Sequence, residues 1–238
     1  MVSGGFTAAY QMLVVDWERS TGHKVITVYG ASMGATPTAI PNRLARGEHA
    51  DVVILARAAL DALAKNGTMI AGSQTDLARS RIAMAVRAGA PVPDISTTAR
   101  FRQVLLDARS IAYSDSASGV YISTEMFNAM GVARLVSGKA RKIEGTPVGE
   151  IVAAGEAEIG FQQLSELIPV RGITIVGPIP ASLQRVTTFS GGIATTSHAR
   201  NVARQLLSYL CSLQASKTIR STGLDPIAAT PTTKTGTR

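Results

Sequence analysis

Four stretches of the chain set glycine or small polar residues just ahead of an apolar helical pattern: Ser3-Gly4-Gly5, Ala31-Ser32-Met33-Gly34, Ser114-Asp115-Ser116-Ala117-Ser118-Gly119 and Thr146-Pro147-Val148. A helix start leaves backbone N–H groups without an intrahelical partner, at the positive end of the helix dipole. Glycine and serine let an anion approach that backbone closely. Four such starts brought together would hold an anion without a lysine or arginine. Each loop taken singly is also an ordinary helix cap, so the signal lies in the recurrence.

Other chemistry has little support. His23, His49 and His198 stand at no metal-ligand spacing, and the single cysteine, Cys211, excludes an internal disulfide and a cysteine-based zinc cluster. No metal or cofactor is therefore expected. There is no Gly-x-Ser-x-Gly elbow and no phosphate loop ending in Gly-Lys-Ser/Thr. The 238 residues carry 24 Lys+Arg against 16 Asp+Glu, a net charge of +8. Such an excess suits a nucleic acid, a membrane surface or a small anion. The basic residues are scattered among acidic ones, with only short clusters at Arg79 and Arg81 and at Arg141 and Lys142, and aromatics are 5%. A nucleic-acid partner is not expected from that pattern. No apolar run approaches the ~18 residues of a membrane span, and Met1-Val2-Ser3-Gly4-Gly5 lacks the pattern of a secretory leader.

The elements that must position these loops alternate between strand and helix, which predicts an α/β fold. Phe6, Ala9, Tyr10, Leu13, Val14 and Trp17 stripe a first helix that Gly22 ends. A strand is predicted over 25–29, a helix over 37–44 opened by Pro37, and a buried strand over 51–55, a continuous apolar run. A helix over 58–65, a strand over 81–86 and a helix over 101–108 follow. A short strand over 110–113 then runs into the serine loop. Ile122, Met126 and Met130 mark another helix. Thr146 reads as a cap with Pro147 at the first helical position. Strands are predicted over 157–161 and 173–176, an extended run over 186–194, and one long helix through Val202, Leu206, Leu210 and Leu213. The polar segment 229–238 reads as a disordered tail.

In this order the loops resemble those of the type 2 periplasmic solute-binding proteins, in the branch of the molybdate-binding proteins. The resemblance covers residues 2 to 227. Ser3-Gly4-Gly5-Phe6-Thr7 is similar to the first ligand loop, and Ser32 in Tyr29-Gly30-Ala31-Ser32 matches a ligand serine. Ala50-Asp51-Val52-Val53-Ile54 is similar to the strand that follows. The loop Ser116-Ala117-Ser118-Gly119-Val120-Tyr121 would give a backbone N–H near Ser118, and Val148 would give another. Gly160-Phe161-Gln162-Gln163 matches the segment that carries a ligand tyrosine.

The resemblance implies two lobes, each a mixed, mostly parallel sheet flanked by helices, with the ligand cleft between them. Lobe one would hold 1–80 and 190–238, lobe two 81–189, with a hinge near 80 and 190. Of the strand that the family places before Ser3, this sequence contains Met1-Val2. The implied ligand set is Gly4, Gly5, Phe6, Ser32, Met33, Arg43, Ser114, Ser116, Ser118, Gly119, Val148, Gln162 and Gln163. The implied role is capture of a small anion by a periplasmic monomer that delivers it to an ABC-type permease. A native start at Met1 would instead imply a cytoplasmic protein.

Gly5 stands where the family has a serine, Gln163 where it has a tyrosine, and the second loop runs on through Pro37 and Pro41 to Arg43. Fewer hydroxyls and a longer loop imply a roomier pocket, suited to a di- or tricarboxylate more than to a tetrahedral oxyanion. Bacterial aconitate isomerases share this fold, and Ser32-Met33-Gly34-Ala35-Thr36-Pro37 together with the run from Tyr113 to Tyr121 is similar to that subgroup. Such an enzyme moves a proton across an allylic unit and needs a proton-transfer group and carboxylate clamps. Asp115 and Tyr121 would be its catalytic candidates, and Arg43 or Arg57 its clamp. Capture is the first reading at this point and isomerisation the alternative.

Overall fold

The apolar runs assemble into two separate sheets. The computed structural model describes residues 1–227, so the tail expected over 229–238 lies outside the described residues. In chain order the first four strands are β1 (Val2–Ser3), β2 (Tyr29–Gly30), β3 (Val52–Ala56) and β4 (Thr75–Ser80). Next come β5 (Ile82–Arg87), β6 (Ile111–Ser114), β7 (Ala140–Ile143), β8 (Ile159–Gln163) and β9 (Ile173–Pro178). The last two are β10 (Thr187–Ile193) and β11 (Asp225–Pro226). One sheet has the order β11-β4-β10-β3-β1-β2 and the other β7-β6-β8-β5-β9.

Both sheets are mixed. Strand β1 runs parallel to β2 and β3, and β6 runs parallel to β7 and β8. The two strands that follow a passage between sheets, β5 and β10, are antiparallel to both of their neighbours. That raises the antiparallel share above the mostly parallel pattern expected.

The chain leaves the first sheet between Ser80 and Ile82 and returns between Pro178 and Thr187. Ser190 sits inside β10, opposite Leu55 and Asp76, so the second passage lies upstream of the residue singled out from sequence.

Helices cover each sheet because their apolar stripes need burial. Phe6, Tyr10, Leu13 and Trp17 of the helix Gly4–Thr21 pack with Leu77, Phe189, Leu206 and Leu210 on one face of the first sheet. Ile40, Leu60, Leu63 and Met69 fill the other face against Val53 and Leu55. In the second lobe, Met84, Phe101, Ile111, Met126 and Phe161 form the largest core. Each fully buried side chain of this size contributes about 1.5–3 kcal/mol.

Several local readings change. Within 25–29 only Tyr29 pairs in the sheet; Val25 N–H donates to Glu18 Oε1 instead, and Ile26 is solvent-exposed. The helix expected from Pro37 begins at Ile40, with Pro41 in its first turn, because Asn42 Nδ2 folds the preceding loop by bonding the carbonyls of Gly34 and Thr36. Strand β4 had no apolar run to announce it. Pro147 is itself the cap of the helix Val148–Ala153, because Val148 N–H donates to Gln162 Oε1 and not to the Thr146 hydroxyl. The long last helix is two, Arg200–Leu210 and Leu213–Ser221; the second starts where Ser212 Oγ accepts from Ala215 N–H.

Candidate functional site

The carboxyl ends of β1, β2, β6 and β8 open onto one cavity between the sheets, where open α/β folds place their ligands. It measures about 380 Å³. Pockets that enclose small organic ligands span about 300–1,000 Å³. One lobe contributes Gly4, Gly5, Tyr29, Ser32 and Thr38, and the other Ser114, Asp115, Ser116, Ser118, Gln162 and Gln163.

Nine of the residues chosen from sequence thus meet in one place: Gly4, Gly5, Ser32, Ser114, Asp115, Ser116, Ser118, Gln162 and Gln163. The others lie elsewhere. Phe6 is in the core of the first lobe, and Met33 does not reach the cavity wall. Arg43 turns away to Glu48, 2.7 Å distant, and to the Thr38 carbonyl. Arg57 is held by Asp61 and Asp76. Gly119 backs against the Ser114 carbonyl, so closely that a Cβ would overlap it. The Val148 N–H is occupied by Gln162 Oε1 at 2.9 Å. Tyr121 donates its hydroxyl to the Leu183 carbonyl at 2.7 Å, under the Arg185 guanidinium, outside the cavity.

Within the cavity the hydroxyls are partly engaged. Ser32 Oγ accepts from Ala56 N–H at 2.9 Å, which ties the second loop to β3 and leaves the hydroxyl proton free to donate. Ser114 Oγ and Ser118 Oγ share a bond of 3.1 Å. Gln163 Nε2 donates to Thr187 Oγ1 at 2.9 Å. Two buried acceptors on cavity residues find no protein partner, Asp115 Oδ2 and Gln163 Oε1. Leaving such an atom unpaired costs about 1–3 kcal/mol, which a ligand that donates, or a proton, would recover.

Among the described residues the wall carries no lysine or arginine. It does carry two carboxyls. Burial pushes Asp115 above the usual carboxylate range against its own backbone N–H, and the Glu144 charge adds to the rise. The second carboxyl, Glu166, was not singled out from sequence. It lies in the helical turn Leu164–Leu167 directly after β8. Burial pushes it up to about 7, the Gln162 side chain and Gln163 backbone oppose the rise, and the Asp115 charge adds to it. Its one sequence signal is the three-residue step from Gln163, a single helical turn past an amide-rich strand end. Thr7, Thr36, Thr38 and Thr146 also reach the wall, from loops picked out in sequence, though none of these threonines was chosen as a ligand residue.

Residues 1–225 match the family described as bacterial extracellular solute-binding protein. The chain is 49% identical over 229 residues to an aconitate isomerase of Pseudomonas sp, covering 96% of this chain and 87% of that protein. It is 25% identical over 228 residues to the molybdate-binding protein ModA of Azotobacter vinelandii, covering 93% and 87%. Among solved structures, the periplasmic molybdate-binding protein of Azotobacter vinelandii superposes with a TM-score of 0.74 at 21% identity, covering 94% of this chain and 96% of that one. That likeness shows the fold.

Proposed function

The chain belongs to the bacterial extracellular solute-binding protein family, and from that premise we propose that it is a polycarboxylate-binding member that interconverts trans- and cis-aconitate. The observation that carries this reading is Asp115, a buried carboxyl with an unpartnered oxygen in an anion cleft that, among the described residues, has no basic side chain in its wall. A receptor that only captures an anion gains nothing from a carboxylate facing it. A proton-transfer enzyme can use one as its base. The 49% identity to an aconitate isomerase supports the same choice.

The reaction is redox-neutral. Asp115, as carboxylate, takes a proton from the substrate methylene between the alkene and a carboxylate. The C–H electron pair spreads over the allylic unit and the neighbouring carboxylate. The proton then returns to the far alkene carbon, and the double bond has moved one position. The raised affinity of Asp115 for protons suits this task, since a general base works best with a pKa near the operating pH. The Ser32 hydroxyl, and whichever of Ser114 and Ser118 does not donate to the other, donate to the charge that develops on the carboxylates. Residues 1–80 with the returning chain from β10, and residues 81–186, act as two lobes that close over the ligand about the two passages.

Capture for an ABC-type permease is the second reading, favoured by the extracellular solute-binding description of the family. A periplasmic location fits both readings. Among the described residues no helix is long and apolar enough to cross a membrane.

The test is incubation with trans-aconitate, with the cis isomer followed by proton NMR. Turnover is expected, and Asp115→Asn should lower it by about 10²–10⁴-fold while a thermal shift by tricarballylate persists. Tyr121→Phe, outside the cleft, should leave turnover unchanged. A thermal shift without any turnover leaves capture standing and sinks the isomerase. Neither response sinks both.

A further inference from the structure

Glu166 stands in the wall between two cavities. One is the 380 Å³ cleft. The other is a recess of about 600 Å³ on the far side, lined by Gln11 of the first helix, by Glu150 and by Arg171. Glu166, Gln162 and Gly4 line both.

Its position depends on the other lobe. Ser165 Oγ donates to the Gly5 carbonyl at 2.7 Å, which docks the turn Leu164–Leu167 onto the start of the 18-residue helix Gly4–Thr21. A Cβ on Gly4 would overlap Glu166 Oε1, so glycine is what admits the carboxyl there.

The charged surroundings favour the acid form. Facing Glu166 are Asp115 across the cleft and, across the recess, Glu150 of the helix Val148–Ala153 and Arg171 of the loop beyond the turn. Arg81 and Arg87 at β5, and Asp16, Glu18 and Arg19 of the first helix, line neither cavity, and β8 carries no titratable side chain. The helix start favours the anion; burial and the Asp115 charge oppose it and hold the carboxyl near 7. The ligand side of the wall is rich in acceptors, with Gln163 Oε1 and Asp115 Oδ2 both unpartnered. A carboxylate ligand brings more acceptors and needs a donor in return.

We propose that Glu166 is a ligand-contacting residue that works as an acid: as a polycarboxylate enters the cleft, Glu166 takes a proton from water in the far recess and donates it in a hydrogen bond to a ligand carboxylate. An O–H bond forms at Glu166 at the expense of one in the solvent, and nothing is oxidised or reduced. This rests on the polycarboxylate reading of the cleft and extends it to the protonation state in which the ligand is held.

The probe is tricarballylate, a saturated tricarboxylate that cannot undergo the allylic shift. Calorimetric titrations at pH 8 in two buffers of different ionisation enthalpy count the protons taken up. Linkage sets the expected uptake at about one proton per ligand for the wild type and near zero for Glu166→Gln, whose amide still donates. Asp115→Asn should keep the uptake. Wild-type affinity should fall about tenfold per pH unit above pH 7, where the ligand's own carboxyls are ionised. Should Glu166→Gln not fold, that pH series alone decides: a constant affinity from pH 7 to 9 overturns the proposal. Binding without uptake, uptake that survives Glu166→Gln, or uptake that vanishes in Asp115→Asn overturns the role of Glu166 and leaves the polycarboxylate reading intact. No binding of tricarballylate to the wild type overturns that reading, and the proposal with it.

Discussion

Gln184 grips the backbone of Ile82 from both sides. Ile82 N–H donates to Gln184 Oε1 at 2.8 Å, and Gln184 Nε2 donates back to the Ile82 carbonyl at 2.9 Å. The two residues belong to the two passages between the lobes, 102 positions apart in sequence. One amide thus copies the exchange of a strand pair and fixes the two crossing segments side by side. Gln184→Ala breaks both bonds and leaves the Ile82 N–H unpaired, while the Ile82 carbonyl keeps its bond from Ile179 N–H. Urea unfolding should show a loss of about 1–3 kcal/mol. A loss below a few tenths would show that the pair does not hold the passages.

Ser32 is tied into the frame as well as facing the ligand. Its Oγ accepts the buried Ala56 N–H at 2.9 Å. Ser32→Ala therefore has two effects. Stability should fall by about 1–3 kcal/mol through the orphaned amide, and tricarballylate affinity should fall by a similar amount through the lost donor. Parallel denaturant and calorimetric titrations separate the two, and unchanged affinity would remove Ser32 from the site.

At Gly4 a side chain would be carried at the cost of the site. Alanine suits the first turn of a helix, so the fold should tolerate it. The atom it would meet, Glu166 Oε1, is the end of a flexible side chain that can rotate away. Gly4→Ala is expected to leave the melting temperature nearly unchanged and to weaken tricarballylate about tenfold, some 1.4 kcal/mol. Equal losses of stability and affinity would contradict the displacement of Glu166 as the cause.

The raised pKa of Glu166 also sets a pH dependence of stability. Its carboxyl moves from 4.5 to about 7 because burial disfavours the anion. Between those values the folded state binds more protons than the unfolded one. Stability is therefore fully present below about pH 4.5, falls as pH rises toward 7 and levels off above it, by on the order of 3 kcal/mol in all. Asp115, raised in the same direction, steepens the trend. Asp76, held low against its burial by the Ser190 hydroxyl and the Arg57 guanidinium, acts oppositely and in a lower window. Chemical denaturation from pH 4.5 to 8 should find Glu166→Gln gaining on the wild type as pH rises; a constant difference would refute the shift.

Much of the frame was legible in sequence because burial has a period. The unbroken run at 52–56 is β3, buried between β1 and β10, and the stripe from Phe6 to Trp17 is the first helix. Strand β4 was not legible, since its Asp76 and Arg79 make it look like a loop. The last helix read as one because its stripe continues across Cys211 and Ser212; the break depends on a cap, which leaves no mark on hydrophobic spacing.

The chain by itself thus determined the alternation of strands and helices and three of the four small-residue helix starts, since both are written in neighbouring residues; the second helix begins only at Ile40, past the Ser32 loop. Which polar atoms remain free for a ligand was decided only in three dimensions. Ser32 meets Ala56, 24 residues on; Gln162 reaches back 14 residues to Val148; Ser165 meets Gly5 across 160. Arg43 left the cleft for Glu48, and Glu166, unremarkable in sequence, was carried into it by the turn after β8. Local patterns encode which face is buried. They do not encode which partner each polar group finds there, because that partner is brought by the fold from elsewhere in the chain.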